Sequence, residues 1–165
     1  MPSPRSPYTK LIRGALAGLI ATLPMTLFMR FAWKRLPADE QYALPPRQIT
    51  RNFFGPWRFW RMSQEKQTVL TLMLHFLFGA LTGSVYGMLE DKVPIQRSIK
   101  GPVAGMVVWA GSYLGWVPVL GVMPPATRHP WRRNVMMIVA HLIWGLTLGV
   151  FTSGMNSEKN YLTIK

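Results

Sequence analysis

Two histidines lie inside long apolar stretches of the chain, where ionisable side chains are rare. His75 and His141 each open the same pattern, His-x-x-aromatic-Gly-x-x-x-Gly, about two helical turns into an apolar run. At about 1.5 Å per residue, each would lie roughly 10 Å below the start of a membrane span. An ionisable residue at that depth is a functional hypothesis by default.

Paired imidazoles suit the axial positions of a haem iron or of a chlorophyll-type magnesium, and the following glycines leave space for a flat ring. We therefore predict His75 and His141 as candidate cofactor-binding residues. Imidazole also binds zinc and copper, but no third ligand lies at this depth, so no separate metal site is predicted. Two other interpretations stay open: hydrogen bonds from neutral histidines to carbonyls or threonines of neighbouring helices, and a proton or ion relay.

The stretches that carry the histidines belong to an apparent duplication. Residues 11–18 and 98–105 share Ile-(Arg/Lys)-Gly-x-x-Ala-Gly, and the histidine pattern follows later in each half. Two signatures in one order predict two repeated helical hairpins, about 10–90 (with a long loop at 30–67) and about 97–154. Because each repeat has an even number of spans, a pseudo-two-fold axis along the membrane normal would relate them.

Glycines at spacings of four residues occur in every predicted span. Lipid supplies no hydrophobic force between helices, so close backbone approach through small residues replaces it. The predicted helix-packing residues are Gly14, Gly18, Gly79, Gly83, Gly101, Gly105, Gly145 and Gly149.

The composition is that of an all-α integral membrane protein forming one domain over 1–165. Hydrophobic residues make up 49% of the 165 residues and are concentrated in four runs. Each run is close to the roughly 20 residues that a spanning helix needs, and none carries a charge in its interior. The runs are about 11–31, 68–89, 99–122 and 135–154.

The residue types speak against several function classes. Cysteine is absent, which removes disulfides and thiol chemistry, and no hydrolytic, phosphate-loop or dinucleotide motif occurs. We therefore predict no enzyme and no catalytic residue. The net charge of +13 lies in segments beside the spans, so anionic lipids or an acidic partner are the expected counter-charges, and no nucleic acid is expected.

The first loop contains a segment that alternates aromatic and basic residues over 47–62. This pattern is typical of an amphipathic helix in the headgroup plane, although Gly55-Pro56 divides it into what are equally well two short pieces. A lipid anchor and a partner-docking surface are both open. The predicted interfacial or docking residues are Arg47, Arg51, Phe53, Trp57, Arg58, Trp60 and Arg61. His129, in the third loop, is expected to be solvated.

Short motifs resemble the YagU-like family of bacterial inner-membrane proteins, a domain of unknown function. They are Leu-Pro-Pro-Arg at 44–47, the start of the second span at 75–78, and the third loop and last span at 124–144. The resemblance implies a multi-pass protein of the bacterial cytoplasmic membrane, with both termini in the cytoplasm. It implies no reaction, and basic residues on both sides leave the orientation undecided by charge.

Three functions follow as expectations. The first is a non-catalytic accessory or scaffold subunit that packs against a larger membrane complex through the first loop. The second is a haem- or chlorophyll-binding membrane protein that uses His75 and His141 as axial ligands. The third is a small transporter or channel, which the absence of acidic residues inside the spans makes the least favoured.

Overall fold

The computed structural model describes residues 6–162, and within them the side chains of Arg97 and 155–162 are not described. All regular secondary structure in the described residues is helical. Four helices are long and apolar enough to span a membrane, which confirms the coarse prediction of a multi-pass, all-α membrane protein. The single domain predicted for 1–165 includes 1–5 and 163–165, which lie outside the described residues, so this prediction stays untested.

Seven α-helices follow one another within residues 6–162. They are α1 (Pro7–Trp33), α2 (Pro45–Phe54), α3 (Pro56–Trp60), α4 (Gln64–Leu89), α5 (Arg97–Ala110), α6 (Val117–Val119) and α7 (Trp131–Leu162). Short 3-10 turns lie at Ala38–Glu40 and Ala126–Arg128, and a π-helical segment at Gly111–Trp116 joins α5 to α6.

Local sequence explains where these helices begin. Proline occupies the first turn of α1, α2 and α3, where its missing N–H removes no helical bond. The Ser63 side chain caps α4 by accepting a hydrogen bond of 3.3 Å from the Lys66 N–H. Gly55, at a φ of 82°, ends α2 and starts α3, a conformation that glycine adopts without strain. The first loop therefore holds two short helices.

The third span, a single apolar run over 99–122 in the sequence, is interrupted close to Pro118, a residue expected to bend the helix. Its π-helical segment contains Gly115 at φ −108° and ψ −111°, outside helical geometry, and Pro118 follows three residues later. Proline lacks an N–H and its ring crowds the carbonyl four residues earlier, which accounts for a break at this point. Such π segments are frequent at functional sites.

The four spans pack in the order α4–α1–α7–α5. We call α1 with α4 the first hairpin, and α5 with α7 the second hairpin. Helix α1 lies centrally, packed on both α4 and α7. The Trp144 indole N–H donates to the Gly18 carbonyl at 3.2 Å and joins the hairpins. Helices α4 and α5 do not pack closely within the described chain, which leaves a seam bridged by the rings of Phe78 and Trp116 at 6.0 Å.

Glycines form the contact inside both hairpins. A Cβ at Gly14 or Gly18 would overlap the carbonyl of Gly83 or Gly79 on α4. The predicted packing residues thus meet in the first hairpin, and Gly87, absent from the prediction, extends the same contact.

The second hairpin repeats this contact in a shifted register. A Cβ at Gly101 would overlap the Gly145 carbonyl, and one at Gly105 the His141 carbonyl. Aligned by these contacts, His141 corresponds to Gly79, one turn beyond His75. The shared mode of contact accords with a duplication, but the duplication itself stays a prediction.

Candidate ligand cavity between the two hairpins

A cavity of about 250 Å³ lies beside α1, between α4 on one side and the π-helical segment and α7 on the other. The segment around α2 covers its first-loop end. His75 from the first hairpin and His141 from the second both line it, so the structure brings the two predicted residues to one site. Each lies about ten residues into its helix, roughly 15 Å from the helix start.

His141 is buried, and its ring is held by its own helix. The distance from Nδ1 to the Met137 carbonyl oxygen is 2.7 Å, so Nδ1 carries the proton and donates. This leaves Nε2 as a lone-pair acceptor, for which the described residues supply no donor. A histidine whose Nδ1–H is fixed by a carbonyl is the usual arrangement of an imidazole metal ligand. His141 therefore bonds to a carbonyl, as one of the interpretations left open by the sequence expected. The carbonyl belongs to its own helix and not to a neighbouring one.

His75 leaves a nitrogen without a partner. Its Nε2 atom is buried and makes no hydrogen bond to any described residue. A buried polar atom without a partner carries a desolvation cost of about 1–3 kcal/mol. A ligand that engages Nε2 would remove that cost, so the site favours a bound group at this atom.

The other polar groups in the cavity wall are mostly engaged. The Thr22, Thr50 and Thr82 hydroxyls each donate to a carbonyl four residues earlier at 2.8 Å. Such back-bonding uses the hydroxyl proton within its own helix. Among the wall residues these three hydroxyls are engaged, whereas His75 Nε2 is not.

The π-helical segment supplies wall residues that the sequence reading missed. Ser112 and Tyr113 are buried and line the cavity, and Trp116 lines it beside the seam. The Tyr113 ring stacks on Trp109 at 6.2 Å and meets His141 edge-on at 6.5 Å. Gly111, Gly115 and the following proline were the available sequence signal, since together they disfavour a regular helix.

Arg133 holds the loop in front of α2 in place. Its guanidinium donates to the carbonyls of Glu40 at 2.7 Å, Tyr42 at 3.1 Å and Ala43 at 3.3 Å, and lies 3.6 Å from the centre of the Tyr42 ring. The cation therefore fixes the backbone that leads into α2. This link between the first loop and α7 was not foreseen from the sequence.

His129 is half-buried, and the expectation that it is solvated was wrong. Nε2–H donates to the Pro124 carbonyl at 3.1 Å, so in the neutral ring Nδ1 accepts from the Tyr42 O–H at 2.6 Å. Burial lowers the pKa of His129; the Pro124 hydrogen bond raises it, and the charge of Arg133 lowers it. Burial raises the pKa of Tyr42, because for a tyrosine the charged form that burial disfavours is the deprotonated one.

The predicted docking residues fall into two groups. Phe53, Trp57, Arg58, Trp60 and Arg61 are exposed. Arg47 and Arg51 are half-buried, and Arg47 donates to the side-chain oxygens of Gln64 at 2.9 Å and Gln67 at 2.5 Å. Arg47 thus joins α2 to the first turn of α4. The outward role of the whole set stays a prediction.

Comparisons with known proteins identify a family but no characterised relative. A family model described as "Protein of unknown function (DUF1440)" matches residues 28–150. No curated protein matches the chain, and no solved structure matches it. The match covers the first loop, α4 and the second hairpin through residue 150, which includes both histidines of the cavity.

Proposed function

Since this chain belongs to the DUF1440 family of proteins of unknown function, we propose from its geometry that it is a non-catalytic cofactor-binding membrane protein. The cavity between the hairpins holds a flat, lipid-soluble ring of the haem or chlorophyll type. His75 and His141 would hold this ring, each through Nε2. The proposal rests on the contacts of the described residues and on no property of the family.

The single observation that carries the proposal is that histidines from different hairpins line one cavity. Nε2 of His75 is buried without a hydrogen-bond partner among the described residues, and His141 is bonded through Nδ1 to the Met137 carbonyl. Imidazole nitrogen is a common axial ligand of haem iron. The carbonyl of Met137 sets the tautomer of His141 that ligation through Nε2 requires. Surrounding methionines and aromatic rings give the apolar environment that a tetrapyrrole face prefers.

The seam between α4 and α5 is the proposed entrance. At about 250 Å³ the cavity is smaller than most drug-sized ligand sites, which span about 300–1,000 Å³, so a tetrapyrrole would have to part the two hairpins at this seam. The cavity also reaches Phe78 and Trp116, which bridge the seam. A planar ring would enter from the bilayer between these two side chains and leave its edge against lipid.

The test is reconstitution followed by absorbance spectroscopy. The full chain is purified in mild detergent, titrated with haemin and with magnesium protoporphyrin, and separated from free pigment. A saturable Soret band is expected in the wild-type protein and in the control His129→Ala, which removes a histidine outside the cavity. The band should be lost in His75→Ala/His141→Ala. A double variant that keeps the wild-type band, or a wild-type protein that binds neither pigment, would refute the proposal.

A second candidate function is the accessory or scaffold subunit of a larger membrane complex. It is favoured by three aromatic side chains of α2 and α3 that project outward: Phe53 is 73% exposed, Trp57 70% and Trp60 57%. The Arg61 guanidinium lies 4.5 Å from the centre of the Trp57 ring, so this surface presents a cation together with an aromatic ring. Stoichiometric co-purification of a large partner, lost in Trp57→Ser/Trp60→Ser, is the expected result. Purification of the chain alone from its native membrane would exclude it.

The location proposed is the bacterial cytoplasmic membrane, with both termini in the cytoplasm. This extends the resemblance to YagU-like inner-membrane proteins, and the duplicated hairpins and an interfacial first loop belong to the same proposal. Reporter fusions to the C-terminus and to the first loop should report opposite sides of the membrane. A cytoplasmic signal from the loop fusion would reverse the orientation.

A further inference from the structure

A second cavity, of about 300 Å³, lies at the first-loop end of the first hairpin, between α1 and α4. We propose that this cavity binds the phosphate headgroup of an anionic membrane lipid. It shares Met29, Pro46 and His75 with the ring-binding cavity, but the groups that carry this inference are different.

The charge of the wall points to an anion. Arg30, Lys34 and Arg47 line this cavity, whereas no aspartate or glutamate lines it. Arg30 lies in the last turn of α1, and Lys34 caps that helix four residues later with helical backbone angles, so the two lie on one face. Arg35, in contrast, lies over the Phe31 ring at 3.3 Å and is not part of the wall. Three cations without a carboxylate leave a positive potential that a phosphate would neutralise.

Arg47 is fixed before any ligand arrives. The side-chain oxygens of Gln64 and Gln67, at 2.9 Å and 2.5 Å, hold one guanidinium nitrogen. These amides are neutral, so they position the cation without cancelling its charge. An Arg guanidinium has five N–H donors, and the remaining ones are available for phosphate oxygens. Because the group is already ordered, less side-chain entropy is lost on binding.

The rest of the wall is apolar, and this selects a lipid over a soluble phosphate. Met29, Leu44 and Leu72 lie in the wall with Trp33. The Trp33 indole N–H donates to the Tyr42 carbonyl at 3.1 Å, which fixes the ring in the position of an interfacial aromatic anchor. Charge beside an apolar wall suits a headgroup with an attached acyl chain.

The experiment measures lipid binding by native mass spectrometry of the full chain in detergent. Dioleoyl phosphatidylglycerol is expected to bind with one tight site, more tightly than dioleoyl phosphatidylcholine. Arg30→Gln/Lys34→Gln should weaken binding of the anionic lipid about 25-fold, since each cation near the surface is worth about a factor of five. Both side chains are exposed and make no hydrogen bond within the described residues, so the variant is expected to fold.

A matched control removes the same charge elsewhere in the first loop. Arg58→Gln/Arg61→Gln changes two exposed cations that do not line the cavity, and it should leave the affinity within about twofold. Equal weakening by the two double variants would show general charge attraction and overturn the site. Equal affinity for the two lipids would overturn it as well. Displacement of the anionic lipid by equimolar glycerol 3-phosphate would assign the site to a soluble phosphate instead.

Discussion

The two hairpins use the same glycine contact but in registers that differ by one helical turn. In the first hairpin Gly18 meets the Gly79 carbonyl, whereas in the second Gly105 meets the carbonyl of His141. A histidine therefore contributes its backbone to helix packing while its imidazole lines the cavity. Close packing constrains only the backbone at that position, so the second hairpin carries an imidazole where the first carries a glycine.

The hairpins also differ in how they connect to the first loop. In the first, Arg47 of α2 reaches Gln67 near the start of α4. In the second, Arg133 near the start of α7 reaches back to backbone carbonyls of the first loop. The first-loop segment that covers the cavity is therefore tied to the first hairpin through Arg47 and to the second hairpin through Arg133.

The largest effect is expected from an alanine at the glycine contacts. Gly18→Ala and Gly105→Ala each place a Cβ against an opposing carbonyl, an overpacking cost of about 1–3 kcal/mol. The melting temperature in detergent should fall by roughly 5–10 °C in each variant. Gly111→Ala is the control, because its Cβ meets nothing and alanine favours helices. If only Gly18→Ala destabilised the protein, the second hairpin would not share the contact.

The next effect is expected at the loop connection. Arg133→Gln removes a buried cation with three carbonyl acceptors, at a cost of about 2 kcal/mol. Limited proteolysis should then cleave the first loop faster. Arg132→Gln is the matched control, because Arg132 is largely exposed and lies 3.5 Å from Glu40. Similar protection in both variants would show that Arg133 does not hold the loop.

A smaller effect is expected where the hairpins meet. Trp144→Phe loses the indole hydrogen bond to the Gly18 carbonyl, and interhelical bonds of this kind are worth about 0.6 kcal/mol. Thermal unfolding should show a modest loss of stability. In Trp109→Phe the removed N–H has no partner, so that variant should be neutral or slightly stabilised. A larger loss of stability in Trp109→Phe than in Trp144→Phe would contradict the proposed contact.

The smallest effect is expected from pH. The folded pKa of His129 is lowered below its ordinary value near 6.5, so the neutral ring stabilises the fold above that pH. This contribution is lost as the pH falls through the folded pKa, when Nδ1 can no longer accept from Tyr42. The first loop should become more protease-sensitive as the pH falls below about 6.5. In His129→Gln the pH dependence should be flatter, and an unchanged profile would assign it to another group.

The sequence predicted the spans because their apolar runs and bounding charges are local properties. The glycine spacing likewise identified the packing faces, since a face of small residues has few other uses in a span. The register of those faces was not predictable, because Gly105 could meet either Gly145 or its neighbour one turn away. When the two halves are aligned by their sequence pattern, His75 corresponds to His141. When they are aligned by their glycine contacts, His141 corresponds to Gly79.

The rest of the site depends on interactions that are distant in sequence. Arg133 binds residues about ninety positions away, and the Tyr42–His129 pair spans two loops. Ser112 and Tyr113 face the cavity only because the π-helical segment turns them there. Hydrophobic periodicity does not reveal a π-helical segment. The sequence therefore predicted the two histidines but not the cavity wall formed by Ser112 and Tyr113.

The most direct test of the central claim is the spin state of ferric haem bound to the full chain, measured by electron paramagnetic resonance. Ligation by both His75 and His141 predicts a low-spin signal in the wild-type protein. Each single variant, His75→Ala or His141→Ala, should convert it to a high-spin signal, because one axial imidazole is lost. A signal unchanged by either substitution would contradict the claim that the two hairpins hold one ring between them.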